Sequence, residues 1–406
     1  MEVGELIKGI SVVIDDDINN ENENISKIVK QIETENIPIL KYNKLPDIET
    51  IKNFRNLSFL ILDWRLVKDD YTSGDIEAGV KLPTGLSDEL IEESIDFLKE
   101  IREVCFCPVF IFSNEDKESI QNHLITNELY LEDRPNQIFI KSKDELLEAG
   151  DFINEVTNWI TNNPSIYVLK EWEKEYQKCK NKLFFDFFKL SPSWPSILWR
   201  NFEVDGVNKS TGIGDVISSN LHSRMVPYDF DDDIINKSRK EEIDLDEIKG
   251  VIEGERYIVN EGLNSEDISP GDLFKYQGKY YLNIRPSCDL ITGRGDSSDS
   301  INDINLYLIR GTKLNETKIG EQFRPEFGNF LENDTNIIIF PVDGYNAIDF
   351  RFKDLKVEPW SNWKSKRKGR ILSPFINRVQ QKYSLYSQRL GLPRIPESLF
   401  PKNPDG

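Results

Sequence analysis

Four short hydrophobic runs in the first 145 residues each end on a polar residue. Continuously apolar runs of this length indicate strands buried on both faces, and the helical periodicity between them predicts a parallel sheet. In such a sheet ligands collect beyond the carboxyl ends of the strands, so the four polar residues should share one edge. The residues that follow the runs at 10–14, 59–62, 109–112 and 138–140 are Asp15, Asp63, Ser113 and Lys141.

The same pattern divides the N-terminal part of the chain into five strands that alternate with five helices. The predicted strands cover residues 9–15, 37–41, 58–63, 108–113 and 137–141, and the predicted helices cover 24–35, 47–54, 87–104, 115–130 and 144–162. The last helix should end at Asn162 and Asn163, because a residue before proline, here Pro164, disfavours the helical conformation. The first domain is therefore predicted to span residues 1–163.

The remainder of the chain changes from a helical to a strand-like pattern. Residues 164–260 are predicted to form a helical connecting region, with helices at 165–189, 196–225 and 240–258. Residues 261–406 are predicted to be rich in strands, at 273–276, 279–284, 306–309, 336–340 and 348–352, before a closing helix at 374–390 that Gly391 caps. We therefore expect an α/β domain followed by an α+β domain with a helical layer and a small β-barrel or sandwich.

The charge of the chain is unevenly distributed. Residues 1–160 contain 16 Lys and Arg against 34 Asp and Glu, a net charge of −18 out of −20 for the whole chain, so this domain should repel nucleic acid. Residues 361–406 carry a net charge of +8, and any anionic partner would be sought there. The sequence has no long apolar run and no basic secretion signal at its start, so we expect a soluble cytoplasmic protein with no membrane partner.

The residue types that usually bind zinc or form disulfides are scarce. The four cysteines include no Cys-x-x-Cys pair, and only two histidines are present, which argues against disulfides, a zinc site and histidine acid–base chemistry. Cys105 and Cys107 flank the start of a predicted strand and are expected to be buried.

The carboxylates at the predicted sheet edge point to a different chemistry. Asp15, Asp16 and Asp63 would repel one another unless a cation neutralised them, and Mg²⁺ prefers such oxygen ligands. Asp15 and Asp16 would hold the metal ion, and Asp63 would attack a phosphoryl group to form an aspartyl phosphate. Ser113 would donate a hydrogen bond to the phosphoryl group, and Lys141 would pair with its charge.

These segments resemble the response-regulator receiver domain, in a divergent form. The resemblance covers residues 8–162 and rests on four motifs, Val13-Ile14-Asp15-Asp16-Asp17, Ile61-Leu62-Asp63-Trp64-Arg65-Leu66, Phe112-Ser113 and Phe139-Ile140-Lys141. It implies a five-stranded flavodoxin-like sandwich and phosphotransfer from a partner histidine kinase to Asp63. It also implies a Mg²⁺ site formed by Asp15, Asp16, Asp63 and the backbone carbonyl of Arg65.

Two departures from the receiver pattern are visible. Ser142 follows Lys141 where receivers usually have proline, and the loop from residue 68 to residue 85 is longer than receivers have at that position. Divergent receivers of this kind resemble those coupled to kinases in bacterial anti-phage defence loci.

The C-terminal part resembles an uncharacterised bacterial domain of no known activity. The resemblance rests on three segments, 271–274, 280–290 and 370–393. One hypothesis for this part makes Cys288 a nucleophile with His222 as base and Asp289 or Asp343 as orienting group. The preferred interpretation is a small buried cysteine beside an aspartate that caps a turn.

Two functions follow from these patterns. In the first, the protein is a signalling adaptor in which phosphorylation of Asp63 changes contacts with an unknown downstream protein, without further enzymatic activity. In the second, the basic C-terminal helix binds nucleic acid, with Tyr383 and Tyr386 available for stacking. The net charge of −20 favours the adaptor. The spacing of apolar residues in that helix predicts a face that packs on the core, formed by Phe375, Val379, Tyr383, Tyr386 and Leu390.

Overall fold

The computed structural model describes most of the chain. The described residues are 6–66, 84–113, 115–132, 134–148, 152–237, 244–292, 300–331, 333–390, 396 and 399, and the side chains of 84–88 are excluded. The predicted long loop after Asp63 falls largely outside the described residues, as does the predicted cap Gly391. The chain forms two compact units, one of residues Met1–Asp186 and Asn220–Lys240, the other of Phe187–Ser219 and Glu241–Gly406.

The first unit contains the predicted parallel sheet. Its five strands lie in the order β2-β1-β3-β4-β5, and every neighbouring pair is parallel. The strands are β1 (Ser11–Ile14), β2 (Ile39–Tyr42), β3 (Leu60–Leu62), β4 (Val109–Phe112) and β5 (Ile138–Lys141). This order and the surrounding helices fit a flavodoxin-like α/β fold.

Helices cover both faces of this sheet, which explains why its inner strands β1, β3 and β4 are buried along their whole length. One face packs against the helices α2 (Ile48–Ile51), α3 (Thr84–Val104) and α4 (Lys117–Thr126). The other face packs against α1 (Asn24–Thr34), α5 (Lys143–Glu148), α6 (Phe152–Thr161) and the start of α7 (Pro164–Leu190). Val12 and Val13 belong to opposite cores, as alternation along a strand requires.

The helical region differs from the prediction at one glycine. Where one helix was predicted over 196–225, the structure has α8 (Trp194–Asp205) and α9 (Lys209–Met225). Gly206 ends α8 in the left-handed conformation with φ 71°, which a residue without Cβ adopts readily. The short helix α10 (Asp232–Asn236) follows, and α11 (Leu245–Arg256) corresponds to the helix predicted at 240–258.

The second unit contains a seven-stranded antiparallel sheet that forms a half-barrel, in the order β12-β13-β9-β8-β7-β14-β6. Two strands, β10 (Phe323–Arg324) and β11 (Asn329–Phe330), pair separately beside the short helix α12 (Glu316–Gln322). The seven strands of the half-barrel are β6 (Tyr257–Val259), β7 (Asp272–Tyr276), β8 (Lys279–Asn283), β9 (Asn305–Lys313), β12 (Asn336–Val342), β13 (Asn346–Pro359) and β14 (Arg367–Ile371).

All five strands predicted for this part are present, and the prediction missed β6 and β14 of the half-barrel and the separate short strands β10 and β11. The sequence of β14 is Arg-Lys-Gly-Arg-Ile, which has almost no hydrophobic alternation, so it gave no strand signal. It enters the sheet because Arg367 is buried and donates to the side chain of Asn260 and to two backbone carbonyls, those of Asp267 and Asn264.

The C-terminal helix α13 (Phe375–Ser387) packs on the half-barrel as its spacing predicted. Val379 is fully buried in the core, and Phe375, Tyr383 and Tyr386 are partly buried against it. Leu390 lies beyond the end of the helix and is 88% exposed, so the prediction was wrong for this residue. None of the described helices is both long and apolar enough to cross a membrane.

Candidate functional site

Two buried carboxylates lie side by side at the carboxyl edge of the parallel sheet. In the register of β1 and β3, Ile14 pairs with Leu62, so the next residues, Asp15 and Asp63, are neighbours. The backbone N–H of Asp63 donates to the carbonyl of Ile14 at 2.9 Å. Both aspartates are buried, and each lies where its strand ends, as predicted. A cation at this position would be strongly attracted.

The side chain of Lys143 supplies that cation. Its Nζ lies 2.8 Å from Asp15 Oδ2 and 2.6 Å from Asp63 Oδ2. Burial and the charge of Asp63 raise the pKa of Asp15 to about 7, although Lys143 acts in the opposite direction. Burial acts to lower the pKa of Lys143, but the charges of Asp63 and Asp15 outweigh it and raise that pKa above its usual value. The lysine is therefore protonated at neutral pH, whereas Asp15 titrates there.

Lys141, which the sequence assigned to the phosphoryl group, lies elsewhere. Its Nζ donates to Glu155 Oε2 on α6 at 2.6 Å. The cause is the alternation of β5: Ile138 and Ile140 face α3 and α4, so Lys141 lies on the opposite face, together with Phe139. The structure thus brings Lys143 to the aspartate pair.

Two further aspartates adjoin Asp15. Carboxylate oxygens of Asp15, Asp16 and Asp17 lie within 4.8 Å of one another, and the backbone N–H of Asp17 donates to Asp15 Oδ1 at 3.0 Å. Asp15 Oδ2 is buried and pairs with Lys143 Nζ at 2.8 Å. An all-oxygen cluster of this kind matches the ligand preference of Mg²⁺.

The loops after β3 and β4 are joined across the same edge. The backbone N–H of Arg65 donates to Asp63 Oδ1 at 3.3 Å, and the guanidinium of Arg65 forms an ion pair with Glu115. Ser113 is buried directly after β4, and its Oγ accepts the backbone N–H of Glu115 at 3.3 Å. Ser113 is therefore at the predicted edge of the sheet.

Sequence reasoning missed Lys143 and Glu115. Both belong to polar segments in which charged residues are common, at Lys141-Ser142-Lys143 and Glu115-Asp116-Lys117. The sequence offers one signal for Lys143, which is a second lysine two positions after the end of β5. A lysine side chain is long and can extend in several directions, so the residue type alone does not show which groups it contacts.

The second unit tests the hypothesis about Cys288 only in part. The prediction that Cys288 is buried was wrong, because the residue is exposed in a short turn and its Sγ donates to Asp289 Oδ1 at 3.3 Å. Asp343 accepts a hydrogen bond of 2.8 Å from the hydroxyl of Tyr280. His222 belongs to the first unit, whereas Cys288 belongs to the second. A role for this thiol stays a hypothesis.

Neither a protein-family model nor a curated protein sequence matches this chain.

Proposed function

We propose that the first unit is a divergent receiver domain that accepts a phosphoryl group on Asp63 from a partner histidine kinase. On this proposal the protein is an adaptor that passes the signal to an unknown downstream protein by protein–protein contacts. The observation that supports it most is the pair of buried carboxylates, Asp15 and Asp63, joined by one lysine at the carboxyl edge of a five-stranded parallel sheet.

The proposed reaction needs a carboxylate nucleophile. Asp63 would attack the phosphorus atom with Oδ2, and the P–N bond to the phosphohistidine of the kinase would break as the new P–O bond forms, with the histidine as the leaving group. The backbone N–H of Arg65, which donates to Oδ1, would keep the other oxygen in place. Lys143 would move from the carboxylate pair to the oxygens of the transferred group, which carry more negative charge. Ser113 would donate its hydroxyl to the same group.

We propose Asp15, Asp16 and Asp63 as side-chain ligands of Mg²⁺, with the backbone carbonyl of Arg65 as a further ligand. The metal ion would neutralise the crowded carboxylates and the phosphoryl oxygens. The oxygen-only cluster that Asp15 and Asp16 form with Asp17, and the position of Asp63 beside Asp15, support this assignment. Since the ammonium of Lys143 already contacts both Asp15 and Asp63, metal binding requires Lys143 to give up part of these contacts.

The test compares two lysines that are two residues apart. The full chain is incubated with acetyl phosphate and Mg²⁺, and its intact mass is measured. We expect the gain of one phosphoryl group in wild type, its removal by hydroxylamine and its absence in Asp63→Asn. Lys143→Met should slow the modification by about tenfold to a hundredfold, because one charge-assisted contact to the transferred group is lost.

Lys141→Met is the matched control, since its side chain pairs with Glu155 outside the aspartate pair. It should be modified at close to the wild-type rate. The proposed role of Lys143 is refuted if Lys141→Met is the slow variant. The proposed function itself is refuted if wild type remains unmodified by acetyl phosphate and also fails to bind a beryllofluoride mimic in the presence of Mg²⁺.

Contacts of the basic C-terminal segment favour the adaptor over a nucleic-acid effector. Arg367 and Arg370 are engaged by the buried carboxylate of Asp272, and Lys364 pairs with Glu266. Cations that already have protein partners gain less from phosphate contacts. Tight, steeply salt-dependent binding of DNA or RNA by the full chain would favour the effector instead.

A further inference from the structure

A cavity of the first unit lies at the amino-terminal edge of its sheet, opposite the edge that holds the aspartate pair. It has a volume of about 450 Å³, which is in the range of small-molecule sites. Residues from three segments line it: 6–9 before β1, 56–58 before β3, and 170–177 of α7. The first two segments are fixed to each other, because the hydroxyl of Ser58 donates to the carbonyl of Ile7 at 2.6 Å and its backbone N–H donates to the carbonyl of Ile10 at 2.8 Å. The fold of one unit therefore builds the walls of this cavity.

The cavity is lined by more positive than negative charge. Lys8, Lys170 and Lys174 contribute three ammonium groups, and Glu173 contributes one carboxylate. Residues 1–160 carry a net charge of −18, so the cavity is a positive site beside a strongly acidic part of the chain. A cleft whose walls carry one sign of charge concentrates the field and attracts ions of the opposite sign. The cavity therefore favours an anionic ligand.

Lys170 is the buried cation of this cavity. It is 3% exposed, and its Nζ lies 2.8 Å from Glu173 Oε2. An ammonium has three N–H donors, and in the described part of the chain Glu173 is the one acceptor within hydrogen-bond distance of them. A buried charge is costly unless its hydrogen bonds are satisfied. The oxygens of an anion that enters the cavity would supply further acceptors for this ammonium.

The same cavity offers an aromatic surface and two amides. Trp172 and Tyr176 lie one turn apart on α7 and stack, with ring centroids 5.0 Å apart and planes 20° from parallel. Trp172 is 41% exposed, so part of its ring is open to a planar ligand. Asn56 and Gln177 also line the cavity, and their side-chain amides can both donate to and accept from the polar edge of a nucleobase. The lining thus suits a ligand that has an aromatic ring as well as an anionic group.

We propose that this cavity binds a nucleoside monophosphate. The base stacks on Trp172, the amides of Asn56 and Gln177 bind its edge, and the phosphate pairs with Lys170 and Lys174. An inorganic anion would leave the aromatic surface unused, and a neutral ring would leave the ammonium groups without an anion. The site shares no residue with the aspartate pair, so it does not depend on the proposed phosphotransfer.

Equilibrium dialysis of the full chain against the nucleoside 5′-monophosphates AMP, GMP, CMP and UMP tests the proposal. We expect saturable binding of at least one of them. The matching nucleoside and ribose 5-phosphate should each bind about tenfold more weakly, because the first lacks the phosphate and the second lacks the base. The affinity for the nucleotide should fall as the salt concentration rises, because salt screens the ion pairs of the phosphate.

Two exposed tryptophans provide one matched pair of variants. Trp172→Ala should weaken nucleotide binding about tenfold, because the stacking surface is lost. Trp199→Ala is the control, since Trp199 is 43% exposed and also has a lysine, Lys209, over its ring, but lies on α8 in the second unit. It should bind the nucleotide with the wild-type affinity.

Two lysines of α7 provide the second pair. Lys174→Gln should weaken binding of the nucleotide but not of the nucleoside, because it removes an ammonium that pairs with the phosphate. Lys178→Gln should change neither affinity, because Lys178 lies one turn further along the helix and pairs with Glu175.

The proposal is overturned if none of the nucleotides binds at millimolar concentration. It is also overturned if inorganic phosphate or the nucleoside binds as tightly as the nucleotide, or if a control variant loses as much affinity as its counterpart. The melting temperature of each variant, measured without ligand, distinguishes a lost contact from a lost fold.

Discussion

The raised pKa of Asp15 makes a quantitative prediction for metal binding. Mg²⁺ binds the ionised carboxylate, so its apparent affinity should follow the ionised fraction of Asp15. With a pKa of about 7, that fraction is about one in eleven at pH 6 and about ten in eleven at pH 8. The association constant for Mg²⁺ should therefore rise about tenfold between these pH values. Lys143 does not contribute to the change, because its raised pKa keeps it protonated throughout.

Isothermal titration calorimetry measures the association constant for Mg²⁺ directly at pH 6 and pH 8. Repeating each titration in two buffers of different ionisation enthalpy counts the protons released, which should be about 0.9 per metal ion at pH 6 and about 0.1 at pH 8.

Substitutions of the two lysines test the direction in which the pH dependence of Mg²⁺ binding shifts. Lys143→Met removes the cation that lowers the pKa of Asp15, so the midpoint of the pH dependence should move above 7. Lys141→Met should leave the midpoint unchanged, because Lys141 pairs with Glu155. Equal Mg²⁺ affinity at pH 6 and pH 8, without proton release, would refute the assignment of Asp15 as a metal ligand that titrates near neutrality.

Three further predictions concern single side chains. Asp16→Ala should abolish Mg²⁺-dependent phosphorylation without lowering the melting temperature in metal-free buffer, because the charge of Asp16 raises the pKa of Asp15; a lower melting temperature would make Asp16 a structural residue. Gly271→Ala should lower the free energy of unfolding of the second unit by about 3 kcal/mol, because φ is +91° and a Cβ would meet the carbonyl oxygen of Ile371. Gly278→Ala is the control, since this glycine has φ +71° but lies in open space, and its free energy of unfolding should fall by only about 1 kcal/mol. Denaturant titration measures both changes. Asp272→Ala should cost about 3 kcal/mol because it leaves Arg367 and Arg370 without their buried carboxylate, and a loss below 1 kcal/mol would contradict that account.

The sequence predicted the first unit well because its signals are local. A buried parallel strand is a short apolar run, and the residue after the run must lie at the carboxyl edge, so the sequence alone predicts the positions of Asp15 and Asp63. The second unit was predicted less completely, because β14 is held by the contacts of Arg367 with residues about 100 positions away. A pattern of neighbouring residues cannot reveal hydrogen-bond partners that lie so far away in the sequence.

The positions of Lys141 and Lys143 show what sequence reasoning does not resolve at the candidate site. Lys141 has the position that the receiver resemblance favours, directly after the apolar run, but pleating directs its side chain to Glu155. Lys143 lies two residues later, at the first turn of α5, and reaches Asp15 and Asp63 from there. The position of each ammonium group depends on the alternation of β5 and on where α5 begins. Residue type alone therefore does not show which lysine reaches the aspartates.

A single cation between two carboxylates also defines how the proposed site would respond to its ligands. Two buried carboxylates side by side repel each other, and the ammonium of Lys143 offsets this repulsion by contacting both Asp15 and Asp63. Mg²⁺ would add positive charge and weaken the electrostatic attraction between the carboxylates and Lys143. A phosphoryl group on Asp63 would instead add anionic oxygens to which the ammonium of Lys143 can bind. Because Lys143 begins α5, its movement between these partners would be transmitted to the backbone of that helix. Removal of the charge in Lys143→Met should therefore uncouple phosphorylation from any change in α5, even where Asp63 is still modified.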